Sequence, residues 1–319
     1  MPQNLESEVV EHKSNTSWIK LTGSIVSLLL FIWLITRFGW QELFASIKEI
    51  DGITLIITFC MVLLSRFMVS FRWYFLCRSN RINISMWKAI QLTFAGLYAS
   101  NFLPSTIGGD VVRYLGGIQL DHQKVKCAGS LIMDRLVGML GMVLVLPFGL
   151  VDVLPMLRDG KFDQLKNNAA FGLAFLLPRK FKELLQKSGQ AFNELLLQIR
   201  DWVTHPVSLF MPLFMTSIHM LLLFGMVSLI FGAMGEQVPF LLIAGLYSVG
   251  YFITLIPISI NGYGLQEVSM TLLFVSVAQV STAHALIMAL VMRFLMMAAS
   301  LPGALFLPKI IPDLTISKR

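Results

Sequence analysis

The sequence predicts an all-α integral membrane protein with about eight transmembrane helices and two re-entrant segments in an inverted repeat. Composition is the first reason: 56% of the 319 residues are hydrophobic and 13% are charged. A soluble domain has about a quarter charged residues. The second reason is a series of apolar stretches long enough to cross a bilayer. The third is a pair of breaks between them that are rich in proline and glycine.

Eight apolar stretches are candidate spans, because a membrane-crossing helix needs about 20 mostly apolar residues. They are 18–37, 52–71, 86–103, 128–150, 207–232, 237–258, 266–280 and 283–307. The seventh is short and fits the membrane only if the Gly-Tyr-Gly segment before it is embedded too. These spans divide the chain into an N-terminal tail, a transmembrane domain and a C-terminal tail, at 1–17, 18–307 and 308–319.

The basic residues of the connecting segments predict the orientation, because Lys and Arg accumulate on the cytoplasmic side. Segments 72–88 and 179–200 are rich in Lys and Arg, and the C-terminal tail ends in basic residues. Segments 38–51 and 233–236 are poor in them and are expected outside. Eight spans with both termini in the cytoplasm satisfy this pattern.

One apolar segment, 169–178, is too short to cross the bilayer alone. We expect it to insert halfway and to lead into an amphipathic interfacial helix over 179–204, where apolar residues follow helical spacing with Lys and Gln opposite. If 169–178 did cross, every later segment would be inverted.

The net charge of +7 suits basic loops that lie against anionic lipid headgroups. Nucleic acid is not an expected partner, since the sequence offers no soluble basic domain to bind it. The three cysteines give no disulfide framework, and the five histidines are scattered along the chain. We therefore expect neither a metal site nor a cofactor.

The first broken segment, N-F-L-P-S-T-I-G-G-D-V-V-R, follows the third candidate span. Pro104 has no backbone N–H, and the Gly108–Gly109 pair permits backbone conformations closed to other residues. Such backbone survives at membrane depth only inside protein or beside a wet cavity. We interpret the segment as a re-entrant turn that opens a short helix, in which Asp110 suits the N-terminal end and Arg113 can reach it one turn later.

The second broken segment, I-P-I-S-I-N-G-Y-G-L-Q-E, ends at Glu267, the only formal charge between Gln237 and Met292. A carboxylate at the centre of a span is costly and usually faces a cavity or a partner. The two segments echo one another, with Pro104 matching Pro257 and Gly109 matching Gly262. The first follows a span that runs outward and the second a span that runs inward, which predicts an inverted-repeat transporter with its site between them. Two tight turns outside the membrane are the alternative.

Further charges lie within the spans. Arg66 lies near the inner end of the second span, where it can extend to the interface, and Asp134 and Arg135 lie in the outer part of the fourth, where they can pair locally. Arg293 lies midway through the last span, and we expect it to pair with Glu267 or to bind an anionic headgroup.

These motifs resemble those of the lysylphosphatidylglycerol synthase transmembrane-region family, also called flippase-like domain proteins. The first broken segment is similar to the family signature N-x-x-(L/F)-P-x-x-x-G-G-D-x-x-R. In the same order along the chain, four further stretches agree with family motifs: R-F-M-V-S-F-R-W-Y-F-L from Arg66, M-D-R-L-V-G from Met133, P-I-S-I-N-G-Y-G-L-Q-E and M-R-F-L-M-M-A-A-S-L-P-G. The sequence departs from the family at Asn261, where glycine is more common.

The resemblance implies an inner-membrane protein that moves a lipid or a lipid-linked molecule between leaflets. Its partners would be anionic or zwitterionic phospholipids, or lipid-linked saccharides, and a soluble or membrane lipid-modifying enzyme could join it. Larger members carry a soluble aminoacyltransferase domain, which we do not expect in this chain. The expected substrate-binding residues are Asn101, Pro104, Gly108, Gly109, Asp110, Arg113, Asp134, Arg135, Gly262, Tyr263, Gly264, Glu267 and Arg293, with Arg66 and Arg72 in secondary positions.

Other functions remain open at this point. A membrane glycosyltransferase, or an accessory subunit of one, would need an acid acting as a base and often a metal-binding D-x-D motif, which this sequence lacks. A non-transporting subunit could instead dock an enzyme for aminoacyl-lipid synthesis on its basic helix. Because no nucleotide-binding motif is present either, we expect a transporter rather than an enzyme, working passively or by ion coupling.

Overall fold

The computed structural model describes residues 48–102, 108–121, 124–158, 206–255 and 264–310. Within these ranges the regular structure is helical. The helices are α1 (Gly52–Ser79), α2 (Met86–Phe102), α3 (Gly108–Asp121), α4 (Lys124–Val145), α5 (Pro147–Arg158), α6 (Pro206–Ala233), α7 (Phe240–Thr254), α8 (Leu265–Ser276), α9 (Thr282–Ser300) and α10 (Gly303–Ile310).

Four stretches of the described residues are long and apolar enough to cross a bilayer: Gly52–Ser79, Lys124–Val145, Leu209–Ala233 and Thr282–Pro308. Their surfaces carry exposed apolar side chains such as Ile56, Leu144 and Phe294. Extensive apolar exposure is unfavourable in water and favourable against lipid tails. The protein is therefore a multi-pass membrane protein.

Helices α1 and α6 pack side by side and run in opposite directions. Ser65 contacts His219 and Arg72 contacts Thr216, so the residue number falls along α6 as it rises along α1. The end of the bundle where α1 begins and α6 ends is called the His284 face, and the opposite end is called the Asn80 face.

The direction of α4 corrects the expected topology. The Asn80 side chain donates to the carbonyl of Lys126 at 3.2 Å, so α4 begins beside the end of α1. The expectation that Asp134 and Arg135 lie in the outer part of an inward-running span is therefore wrong. Helices α4 and α6 therefore both run toward the His284 face.

Two helical hairpins enter the bundle from opposite faces. Helices α2 and α3 form the first, starting and ending near the Asn80 face, and Gly96 of α2 contacts Gly109 of α3. Helices α7 and α8 form the second, starting and ending near the His284 face, and Gly250 of α7 contacts Met270 of α8. Each hairpin lies between two long helices along the chain.

The helices of the structure differ from several of the predicted span boundaries. The second span extends to Ser79, the third ends at Phe102 and the seventh ends at Ser276. The fourth ends at Val145, where a break at residue 146 separates it from α5. Five predicted regions lie outside the described residues: 1–17, the first span 18–37, segment 169–178, helix 179–204 and most of 308–319.

At the His284 face, polar contacts around His284 join three parts of the chain that lie between helices or at their ends. Its Nδ1 lies 2.7 Å from Glu236 Oε1 and its Nε2 lies 3.2 Å from Glu49 Oε2. The Ser281 N–H also donates to Glu236 Oε1, at 3.0 Å. Burial alone would raise the pKa of the Glu236 carboxyl, but the hydrogen bonds from Ser281 and His284 outweigh it and hold that pKa below its usual range.

We expect this contact to weaken in acid. Because the folded pKa of Glu236 is lowered, its contribution to stability is present above the unfolded pKa of about 4.3 and is lost as the pH falls through the folded value. The melting temperature of wild type should exceed that of Glu236→Gln at neutral pH, and the gap should close in acid. Asp152→Asn, at an exposed position on α5, is the control. A gap independent of pH would contradict the assignment.

Candidate functional site

A buried aspartate joins two arginines from different helices. Arg72 Nε of α1 donates to Asp134 Oδ1 at 2.7 Å, and Arg113 Nη2 of α3 donates to Asp134 Oδ2 at 3.0 Å. The Asp134 side chain is 4% exposed. The carboxylate of Asp134 thus pairs with one guanidinium group on each side. A charged group that is buried away from water needs such a partner of opposite charge.

Two features of the packing hold Arg113 in this position. Its guanidinium carbon lies 4.4 Å from the centre of the Trp73 ring, within the range of a cation–π contact. One turn earlier, Gly109 lies against α2 so closely that a Cβ there would be 2.8 Å from the Gly96 carbonyl oxygen. The absence of side chains at both glycines therefore lets α3 approach α2.

A second ion pair extends the cluster toward the surface. Arg135 Nε of α4 donates to Asp110 Oδ2 of α3 at 2.6 Å, and Arg113 lies 3.5 Å from the other Asp110 oxygen. The Arg135 side chain is 63% exposed and that of Asp110 is 28% exposed. The pair borders an open cleft of about 320 Å³ between α3 and α4, otherwise lined by Val111, Tyr114, Ala128, Leu131 and Ile132. We call Arg72, Asp110, Arg113, Asp134 and Arg135 the arginine–aspartate cluster.

Glu267 and Arg293 form a separate pair in the second half of the chain. Arg293 Nε of α9 donates to Glu267 Oε1 of α8 at 2.5 Å, and its Nη2 donates to Gln266 Oε1 at 2.9 Å. The other Glu267 oxygen accepts the N–H of Gly264 at 2.9 Å. Gly264 has φ +76°, which glycine adopts at little steric cost, so the backbone can turn and cap α8. The expected pairing of Arg293 with Glu267 is confirmed.

Two tyrosines of α7 lie near these groups. Tyr247 is close to Arg66, Arg293 and Glu267. Tyr251, one turn further on, is close to three members of the arginine–aspartate cluster, Arg72, Arg135 and Asp134. Neither tyrosine was predicted from the sequence, because an aromatic residue within an apolar helix is an ordinary core residue.

Comparison with known protein families gives a match over most of the chain. The family described as the lysylphosphatidylglycerol synthase TM region matches residues 20–159 and 167–303, which is most of the chain. The chain belongs to this family. No curated protein sequence matches it significantly. Membership of the lysylphosphatidylglycerol synthase transmembrane-region family indicates a membrane function related to lipids.

The family motifs supply most of the observed polar contacts. The G-G-D-x-x-R stretch provides Asp110 and Arg113, and the D-R-x-x-G stretch provides Asp134 and Arg135. Adjacent residues of a helix point about 100° apart. Asp134 and Arg135 accordingly bind different partners, and the alternative of a local pair between them is wrong.

Other expected positions of the family signature have varied outcomes. Asn101 donates to Ser300 Oγ of α9 at 3.0 Å. Gly108 begins α3, whereas Pro104, Gly262 and Tyr263 lie outside the described residues.

Arg66 is not near the end of its helix as expected, because α1 continues to Ser79 and leaves Arg66 about halfway along it. Arg72 was expected in a secondary position but belongs to the arginine–aspartate cluster.

Polar residues on α1 and α6 were not predicted from the family motifs. Ser65 Oγ lies 2.7 Å from His219 Nδ1, and Arg72 also donates to Thr216 at 3.4 Å. Serine and threonine are frequent in membrane helices, so no sequence signal distinguishes these two. In the described part of the chain, no three side chains of His, Cys, Asp or Glu converge as a metal ion would require.

Proposed function

We propose that this protein moves a phospholipid or a lipid-linked molecule between the two leaflets of the inner membrane. In this proposal the hairpins α2–α3 and α7–α8 are re-entrant, and the substrate headgroup passes between them. An anionic or zwitterionic headgroup fits the charged side chains at these hairpins, since guanidinium groups bind phosphate and carboxylates bind cationic groups.

The observation that carries the proposal is that two ion pairs, Asp110–Arg135 and Glu267–Arg293, occupy equivalent positions in the two halves of the chain. Asp110 and Glu267 are each the third residue of the second helix of a hairpin. Their partners, Arg135 and Arg293, are each the twelfth residue of the long helix that follows. The same contact at the same register in both halves of the chain supports a structural repeat.

The helix order and directions support an inverted repeat. A long helix, two short helices and a long helix occur twice, as α1–α4 and as α6–α9. The leading helices, α1 and α6, are antiparallel, as the first helices of inverted repeats must be. The hairpin helices have 17, 14, 15 and 12 residues. At 1.5 Å per residue, all four are shorter than the hydrocarbon core of about 30 Å, which favours re-entrant hairpins over complete spans.

The cleft beside Asp110 and Arg135 offers a route by which a headgroup could enter from the bilayer. It combines a partly exposed ion pair with apolar walls, and both parts suit an amphiphile. We further propose that the His284 face is external and that both termini are cytoplasmic, because 72–88 is basic and lies at the Asn80 face.

The test is transbilayer movement of a fluorescent phosphatidylglycerol in vesicles that contain the purified protein. A membrane-impermeant reductant should bleach the inner-leaflet pool with wild type, and protein-free vesicles supply the baseline. Proton gradients of both signs should be imposed, so that ion coupling is detected.

The decisive variant is Glu267→Gln with Arg293→Gln, which removes both charges of the pair together, so that neither is left without the other. We expect its rate to fall about tenfold or more, equivalent to at least about 1.4 kcal/mol in the barrier. The matched control is Asp152→Asn with Lys88→Gln, which removes one exposed charge of each sign. Equal rates for wild type and the decisive variant, with both folded by thermal melting, would refute the proposal.

A further inference from the structure

Arg66 is an arginine halfway along a membrane-crossing helix. It is the fifteenth of the 28 residues of α1, counted from Gly52. The neighbouring Ser65 binds His219 of α6 at 2.7 Å, which fixes α1 against α6 at this depth. The Arg66 side chain is half-buried in the same region. Its position is therefore set by packing deep within the membrane.

Arg66 differs from the other arginines at this depth in its partners. Arg72, Arg113, Arg135 and Arg293 each contact a carboxylate. Among the described residues, Arg66 has no carboxylate within ion-pair distance, and the hydroxyl-bearing Tyr247 of α7 lies near it. A cation in this position would be stabilised by an anion from outside the chain.

The balance of charge points the same way. The arginine–aspartate cluster, the Glu267–Arg293 pair and Arg66 together hold five arginines and three carboxylates. Electrostatic interactions are strong in a medium of low dielectric constant, so this excess of positive charge favours a bound anion. Tyr247 is also near Glu267 and Arg293, so the second ion pair and Arg66 share this tyrosine as a neighbour.

We infer that Arg66 and Tyr247 bind the phosphodiester group of the lipid substrate midway between the two faces. This inference rests on the proposed function and adds a position for the phosphate. The guanidinium presents its N–H groups as a fork that matches phosphate oxygens, and the tyrosine hydroxyl supplies one further donor. In this assignment the Glu267–Arg293 pair lies near the phosphate at Tyr247, and the arginine–aspartate cluster lies one turn further along α7, near Tyr251.

Binding is tested first, without reference to transport. Native mass spectrometry of the purified protein should show fewer bound phosphatidylglycerol molecules for Arg66→Gln than for wild type. Arg78→Gln, at an exposed position on the same helix, should retain the wild-type number. Tyr247→Phe removes only the hydroxyl and keeps the aromatic ring, and it serves as a second variant. Equal lipid retention by wild type, Arg66→Gln and Tyr247→Phe would overturn the inference.

A second arm separates a lipid phosphate from free phosphate. Short-chain phosphatidylglycerol should raise the melting temperature of wild type more than that of Arg66→Gln, whereas inorganic phosphate at the same concentration should raise neither. An equal rise with inorganic phosphate alone would indicate a site for free anions and would overturn the assignment to a lipid.

Transport then links the inference to the proposed function. In vesicles, Arg66→Gln should move fluorescent phosphatidylglycerol about tenfold more slowly than wild type, since a hydrogen bond to a charged group is among the stronger polar contacts. Arg66→Lys should recover part of the rate. If wild type moves no lipid, the proposed function fails, while the binding arm still decides the inference. If wild type and Arg66→Gln move lipid equally fast, the inference fails and the proposed function stands.

Discussion

Replacing Asp134 with asparagine is expected to lower the free energy of unfolding by about 3–5 kcal/mol, the usual cost of breaking a buried ion pair. The carboxylate is 4% exposed and accepts hydrogen bonds from both Arg72 and Arg113. Asparagine preserves the shape but removes the charge, so two guanidinium groups remain buried without it. Unfolding in mixed detergent micelles titrated with sodium dodecyl sulfate measures the change.

Two comparisons show whether charge is the cause. Asp110→Asn should cost less, because the Asp110 side chain is 28% exposed and water can screen its partners. Asp134→Asn combined with Arg72→Gln should recover part of the lost unfolding free energy, because only one buried guanidinium, that of Arg113, then lacks its carboxylate partner. An Asp134→Asn variant as stable as wild type would contradict the buried-charge assignment.

A Gly96→Val variant is expected to separate the two helices of the first hairpin. A Cβ on Gly96 would lie 2.7 Å from the Gly109 carbonyl oxygen and 3.2 Å from Arg113 Cγ. Because the first obstacle is backbone, α3 must move, and we expect a loss of about 1–3 kcal/mol or more from overpacking. The displacement should also weaken the contact of Arg113 with Asp134, and so reduce lipid movement in vesicles if the proposed function is correct.

The matched control for this variant is Gly232→Val. Gly232 is also helical, in α6, but no atom lies within 4 Å of the position its Cβ would take. Both substitutions introduce the same β-branched residue into a helix, so the difference between them isolates the contact with α3. If both variants lose the same stability, close packing of the hairpin is not the reason.

The sequence predicted the Glu267–Arg293 pair because each charge is isolated in a long apolar stretch. A lone carboxylate and a lone guanidinium at membrane depth need partners, and each was the obvious partner for the other. It also predicted that the two Pro–Gly segments interrupt helices, since proline lacks a backbone N–H donor and glycine permits backbone conformations that a continuous helix does not use. The turn residues themselves, 103–107 and 256–263, lie outside the described ranges.

Sequence reasoning was less successful where several partners were available. Arg113 had Asp110 one turn away, and Asp134 had Arg135 as its neighbour. The shorter contact of Arg113 is with Asp134 of the neighbouring helix α4, at 3.0 Å, and not with Asp110 of its own helix, at 3.5 Å. Only the packing of α3 against α2 and α4 decides which carboxylate Arg113 reaches.

Topology shows the same limit. Hydropathy treats every long apolar stretch as a crossing, so it assigned the third, sixth and seventh stretches to spans. Helix lengths and contacts identify these stretches as parts of hairpins, and the position of Lys126 beside Asn80 reverses the direction of α4. Hydropathy measures affinity for lipid but not the point at which a chain turns back.

The sequence by itself determined that this protein resides in the membrane, belongs to a lipid-related family and carries Asp110, Arg113 and Glu267 in two broken segments. Those properties follow from composition and local motifs, which act through the transfer of each residue from water to lipid. Only the tertiary structure decided that Asp134 bridges two arginines and that α3 and α8 present their carboxylates at the same register. These are contacts between helices, and they depend on distances that local sequence does not specify.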